Sequence, residues 1–175
     1  MLAVCALPVI AGYVAYFAYP PGGRVNYGAL LETRPLPEAA LTTLDGAPFR
    51  LDALKGKWIL LHADAGGCDT ACQAKLFNMR QVRLAQGKDK DRIERLWVLL
   101  DGEPGAELAR LVDGAVLARS ADGAFVNALP AAGAVRDHVY LVDPLGNLVL
   151  RFPKDAEPKR MIKDLQRLLK YSRIG

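Results

Sequence analysis

The chain has 175 residues, 51% of them apolar and 24% charged, enough for one domain with a buried core plus a further segment. That composition excludes a disordered or heavily charged chain. The net charge of +4 is a mild basic bias; with no basic stripe interleaved with aromatics and no reading motif beside it, nucleic acid is not an expected partner. Three cysteines, Cys5, Cys68 and Cys72, are too few for a disulfide scaffold and odd in number, so complete internal pairing is excluded.

The N-terminal run "MLAVCALPVIAGYVAYFAY" carries no charge over residues 1–19 and stops at Pro20-Pro21-Gly22-Gly23. At about 1.5 Å per helical residue it reaches about 28 Å, near the roughly 30 Å hydrocarbon core of a bilayer. Tyr13, Tyr16, Phe17 and Tyr19 gather at its end like an aromatic belt, Pro8 is tolerable inside a membrane helix, and Cys5 reads as a small embedded residue. A cleaved signal peptide needs a basic start and small residues before the cut, and neither is present, so an uncleaved transmembrane anchor is expected. Arg24, the first basic residue, follows the span, and charge alone leaves the orientation open. Residues 20–37, rich in Pro and Gly, read as an extended tether, and 38–175 as the soluble domain.

Within that domain, "LTTLDGAPFRLDALKGK" (41–57) predicts a β-hairpin turning at Asp45-Gly46, with Phe49 and Leu51 on the return. "WILLHAD" (58–64) is a short apolar run suited to a strand buried on both faces. From Thr70 the apolar residues Ala74, Leu76, Phe77, Met79, Val82 and Leu84 recur at helical spacing until Gly87. A second buried strand is predicted over 95–101, a short helix over 104–114, two strands around a Pro-Leu-Gly-Asn turn over 138–152, and an amphipathic helix over 155–171. Two strand–helix–strand units imply parallel pairs, with the final hairpin as an antiparallel edge and helices over both faces. The expected fold is α/β, a thioredoxin-like three-layer sandwich with an extra N-terminal hairpin. The basic residues of the last helix (Lys159, Arg160, Lys163, Arg167, Lys170, Arg173) read as a solvated face, with anionic lipid or an acidic partner as the weaker alternative.

The stretch "GGCDTAC" (66–72) falls in the turn between the first core strand and its helix. Open α/β sheets place reactive groups at the carboxyl ends of strands, and the first helical turn favours a thiolate at Cys72. Two buried small residues, or an inert disulfide, are the plain alternative. Thiol–disulfide exchange in this fold uses Cys-x-x-Cys and a facing proline, whereas here three residues separate the cysteines and Asp137-His138 stands where the proline would be. His138 is therefore expected opposite the sulfurs, with Asp137 orienting its ring or simply solvated; His62 is expected to be a packing residue with a satisfied ring nitrogen. Cys68, Cys72 and His138 form a soft, low-coordinate set that suits Cu(I), and with a fourth ligand Cu(II).

Over about 41–152 the chain resembles the Sco/SenC family, on "LDG…F.L..LKGKW", the Cys-x3-Cys of Cys68 and Cys72, the strand ending in Asp101, and "DHVYLVDPLGNLVLRF". It departs from the family in having Gln73, not proline, after the second cysteine. The resemblance implies a membrane-anchored thioredoxin-fold protein that binds copper through Cys68, Cys72 and His138. It further implies a role in assembling the copper centre of cytochrome c oxidase, with the oxidase subunit or another periplasmic copper protein as acceptor. The domain would then face the periplasm from the inner membrane. A membrane-tethered thiol–disulfide oxidoreductase or redox sensor is the alternative, and only in that case would the protein be an enzyme; a metal-free interaction domain is the third possibility.

Overall fold

A computed structural model describes residues 2–18, 26–37, 41–120 and 123–174. Helix α1 (Leu2–Ala18) has 17 residues, with Pro8 inside it and no acidic or basic residue at either end. Among the described residues no helix is long and apolar enough to cross a membrane. The last residue of the expected span, Tyr19, and the first part of the expected tether, 20–25, lie outside the described residues.

The second part of that tether belongs to the domain. Residues Ala29–Pro35 form strand β1, antiparallel to β8 (Asn147–Arg151), with Ala29 opposite Arg151 and Pro35 opposite Asn147. What pins the chain there is buried polar chemistry just before the strand. The amides of Tyr27 and Gly28 donate to the carboxylate of Asp164, at 2.8 and 2.9 Å at their closest, and the Tyr27 ring lies 3.9 Å beneath the Arg160 guanidinium. As an edge strand β1 accommodates Pro35, which has no N–H to give a neighbour.

Among the described residues eight strands form one sheet, in the order β1, β8, β7 (Val139–Val142), β4 (Trp58–Asp64), β5 (Ile93–Leu99), β6 (Val116–Ser120), β2 (Leu41–Thr42), β3 (Pro48–Phe49). The predicted hairpin exists but is short: β2 (Leu41–Thr42) and β3 (Pro48–Phe49) pair around a turn in which Gly46 takes a φ of 84°. Beyond Phe49 the expected return strand gives way to a 3-10 turn over Leu51–Leu54. The two central strands, β4 (Trp58–Asp64) and β5 (Ile93–Leu99), are parallel and joined by helix α2 (Thr70–Leu84), as expected.

The second crossover differs from expectation. From β5 the chain passes through the four-residue helix α3 (Ala109–Val112) into β6 (Val116–Ser120), a strand the half-polar sequence "VLARS" does not advertise. Strand β7 (Val139–Val142) is consequently not the third parallel strand; it runs antiparallel to β4 on the other side. That reversal brings the start of β7, and so His138, to the carboxyl end of β4.

Helices α2 and α5 (Pro158–Tyr171) lie on one face of the sheet, with Leu76, Met79, Val82, Met161, Leu165 and Leu169 packed over Trp58, Leu60, Val139 and Leu141. Against the other face, under Ile59, Leu61, Ala63, Tyr140 and Val142, the described residues pack as short pieces: the Leu51–Leu54 turn, helix α4 (Ala124–Asn127) and the turn before His138. The glycines and prolines between 102 and 133 stop any long helix forming there. The three layers are present, but the second helical layer is thin.

Candidate functional site at the end of strand β4

The reactive turn follows from three local requirements. Gly66 packs directly on the backbone of Gly102 and Glu103, so that a Cβ placed on it would lie 2.7 Å from Glu103 atoms, and its N–H donates to the Asp101 carbonyl at 2.8 Å. Only glycine permits that approach; Gly67, with nothing near its missing Cβ, is not so constrained. Asp69 then caps α2, its carboxylate accepting the Cys72 N–H at 2.9 Å. Between them Cys68 takes a φ of 30°, in the left-handed region that costs a side-chain-bearing residue of order 1–3 kcal/mol. Two hydrogen bonds hold it there: its N–H donates to Ala65 O at 3.1 Å, and the Gln73 side-chain amide donates to its carbonyl at 3.0 Å. A proline at 73 could not make the second bond.

This geometry joins Cys68 and Cys72 in a disulfide, with their Cα atoms 5.2 Å apart, and buries both residues under α2. The two cysteines therefore converge as expected. His138 does not join them. Along β7, Val139 and Leu141 face the cysteines, so alternation turns His138 and Tyr140 to the other face, where their rings meet edge-on at 6.1 Å. The His138 ring is also engaged at both nitrogens: Nδ1 lies 2.9 Å from Phe152 O and Nε2 3.1 Å from Ala132 O. In either neutral tautomer one nitrogen donates and the other still abuts a carbonyl oxygen, so no lone pair points to free space. Asp137 does not orient this ring. It pairs with Lys154 at 3.1 Å, and that contact first, with lesser help from the Ala134 N–H and the neighbouring charges, holds its carboxyl below the usual carboxylate range against the opposing effect of burial.

The imidazole beside the sulfurs is His62. Trp58, Leu60, His62 and Asp64 share the α2 face of β4, and donor atoms of His62, Asp64 and Cys72 all lie within 4.8 Å of one another. His62 is fully buried; its Nδ1 lies 2.9 Å from the backbone carbonyl of His138, which can only accept, so Nδ1 carries a proton in that bond. The expectation of a buried ring with one satisfied nitrogen holds, at Nδ1. Nε2 makes no hydrogen bond, although Asp64 Oδ2 stands 3.5 Å away, within ion-pair reach. Burial pushes the Asp64 carboxyl up, but the His62 side chain, the Ala65 N–H at 2.8 Å and the charge of Arg136 outweigh it, and the net shift is downward. The signal that could have found His62 was parity. Counting back by twos from Asp64 at the reactive end puts 62 on the same face, but an apolar run buried on both sides conceals which face is which.

These features define a thioredoxin-fold protein with a buried, redox-capable cysteine pair at the strand–helix turn. Residues 58–172 match the family model described as transmembrane-like, thioredoxin-like, C-terminal domain, and the chain belongs to that family. No curated protein sequence matches it. Among solved structures it is similar to the apo form of Sco1 from Thermus thermophilus, at 19% identity and a TM-score of 0.61, covering 83% of this chain and 99% of that one. It is also similar to copper-bound yeast Sco1, at 16% identity and a TM-score of 0.59, covering 84% of this chain and 90% of that one. A further likeness is the thioredoxin domain of a thiol-disulfide oxidoreductase from Bacteroides vulgatus, at 16% identity and a TM-score of 0.56, covering 79% of this chain and 98% of that one. The Sco-like fold expected from the motifs is the fold observed.

Proposed function

We propose that this chain is a membrane-anchored, Sco-like copper-handling protein whose reduced Cys68/Cys72 pair takes up copper as cargo. The acceptor is an extracytoplasmic copper protein, with the copper-accepting subunit of cytochrome c oxidase as the foremost candidate. The observation that carries this reading is the cluster at the end of β4: a joined pair of buried cysteines with an imidazole nitrogen and a carboxylate converging on one of them. Soft sulfur and imidazole donors suit Cu(I), so the donor set fits the ion. Opening the disulfide takes two electrons and two protons from a dithiol donor, which leaves as its own disulfide. The freed thiols then lose their protons on binding the metal.

The anchor in this reading is the charge-free segment 1–19, which contains α1 and holds the domain at the periplasmic side of the inner membrane. Its charge-free sequence and the transmembrane-like description of the family support it. The chain is expected in the membrane pellet after alkaline extraction; release into the supernatant would remove the anchor from the proposal. For copper, the full-length chain in detergent, reduced and held without oxygen, is titrated with Cu(I) against a competing chelator. One tight equivalent is expected, and none would refute the copper reading.

A membrane-tethered thiol–disulfide oxidoreductase is the second reading, favoured by the fact that the two cysteines are already joined. It predicts exchange with a dithiol substrate that proceeds equally well whether or not copper is supplied.

A further inference from the structure

We propose that the imidazole donor to the metal held by Cys68 and Cys72 is His62, with Asp64 beside it as the carboxylate of the same site. This rests on the copper reading above and assigns its ligands. Three observations lead to it.

The first is position. His62, Asp64 and Cys72 already present donor atoms within 4.8 Å of one another, on one face of the sheet. Donors that share one first-row ion, at bond lengths of about 2.0–2.3 Å to nitrogen and sulfur, stand at most about 4.5 Å apart. Small side-chain rotations close the difference.

The second is that the Nε2 atom of a fully buried histidine makes no hydrogen bond, with Asp64 Oδ2 standing off at 3.5 Å. A buried polar atom left unpaired is costly, and in native proteins such an atom calls for an explanation. A metal ion bound when the disulfide opens supplies one.

The third is the tautomer. Histidine ligands usually donate their other ring N–H to a carbonyl or carboxylate, which fixes the ring and leaves the lone pair on the metal side. The Nδ1–H of His62 is committed in this way to the backbone carbonyl of His138, which leaves Nε2 as the ring nitrogen on the side of Asp64 and Cys72. At His138 the arrangement is the opposite, since carbonyl oxygens face both nitrogens. His138 thus serves the site through its backbone, by orienting His62.

Sulfur and imidazole select Cu(I), while the hard oxygen of Asp64 adds a donor suited to Cu(II), so one site accommodates both oxidation states.

The chain has two histidines, which makes the test direct. Tag-free full-length protein in detergent is reduced, loaded with Cu(I), and compared as wild type, His138→Ala and His62→Asn. The asparagine can still donate to the His138 carbonyl but offers nothing in place of Nε2. Replacing His62 is expected to weaken Cu(I) binding about ten- to a hundredfold, as removal of groups around bound metals does, while His138→Ala stays within about threefold. X-ray absorption at the copper edge gives a second readout that needs no His62 variant. Imidazole scattering that persists in His138→Ala can come only from His62 and supports the assignment; its loss there overturns it. A His62→Asn chain that melts like wild type and binds copper as tightly also overturns it. Absence of copper on reduced wild type removes this assignment and the copper reading together, whereas tight binding that depends on His138 alone removes only this assignment.

Discussion

Two histidines sit at the same end of the sheet, on adjacent strands, and on opposite faces. His62 lies on the face covered by the long helices α2 and α5, where the sulfurs and Asp64 are its neighbours. His138 lies on the face covered by short turns, where the chain runs close enough for two backbone carbonyls to reach its ring. A long helix satisfies its own carbonyls along its length, so it offers a buried imidazole none. Irregular chain has carbonyls to spare. The chemistry left to each histidine is therefore set by the regularity of whatever packs over it.

Several changes separate the two faces by experiment. The largest effect is expected from Cys72→Ser, which should abolish both the disulfide and tight Cu(I) uptake by the reduced chain, measured by chelator competition. Retained uptake would place the metal away from the helix-side face.

Next comes Gly66→Ala. Its Cβ would meet Glu103 backbone at 2.7 Å, and forcing room for it should cost about 1–3 kcal/mol in a denaturant melt. Gly67→Ala, facing open space, should stay within about 0.5 kcal/mol. Equal costs would mean that the turn is not set by the Gly66 contact.

Asp69→Ala removes the cap on the Cys72 N–H and should lower stability by about 1 kcal/mol, with Asp69→Asn recovering most of it.

The smallest effect concerns the other face and shows only in alkali. Burial pushes the Tyr140 phenol up to about 12, against a lesser opposing pull from Arg151. Because the folded value is raised, this contribution to stability is complete below about pH 10 and is lost as pH rises through about 12. An absorbance titration should therefore find a late-ionising step that Tyr140→Phe removes. A phenol titrating normally would mean that the thin layer admits water.

The elements that were legible are those whose signal is local. Thr70–Leu84 follows from helical spacing after a capping aspartate, the Asp45-Gly46 turn from a glycine with positive φ, and the β7–β8 pair from its Pro-Leu-Gly-Asn connection. The elements that were missed gain their stability from distant partners. Strand β6 has a half-polar sequence and forms because β5 and β2 flank it. Strand β1 lies in a stretch whose composition reads as a linker, and it is fixed by Asp164 of α5, more than a hundred residues away in the chain. At the site the cysteine pair could be read from its spacing and its turn, but the histidine that faces it could not.

By itself the sequence determined a thioredoxin-like order of elements, a cysteine pair at the carboxyl end of the first core strand, and the glycine that lets that turn close. Spacing and turn chemistry act over a few residues, and they survive in any context that allows the chain to fold. Tertiary structure alone decided the direction of β7, the docking of residues 29–35, and which imidazole shares a face with the sulfurs. In a strand buried on both sides every residue looks alike in composition, and only the layer packed against each face tells one side chain from the next.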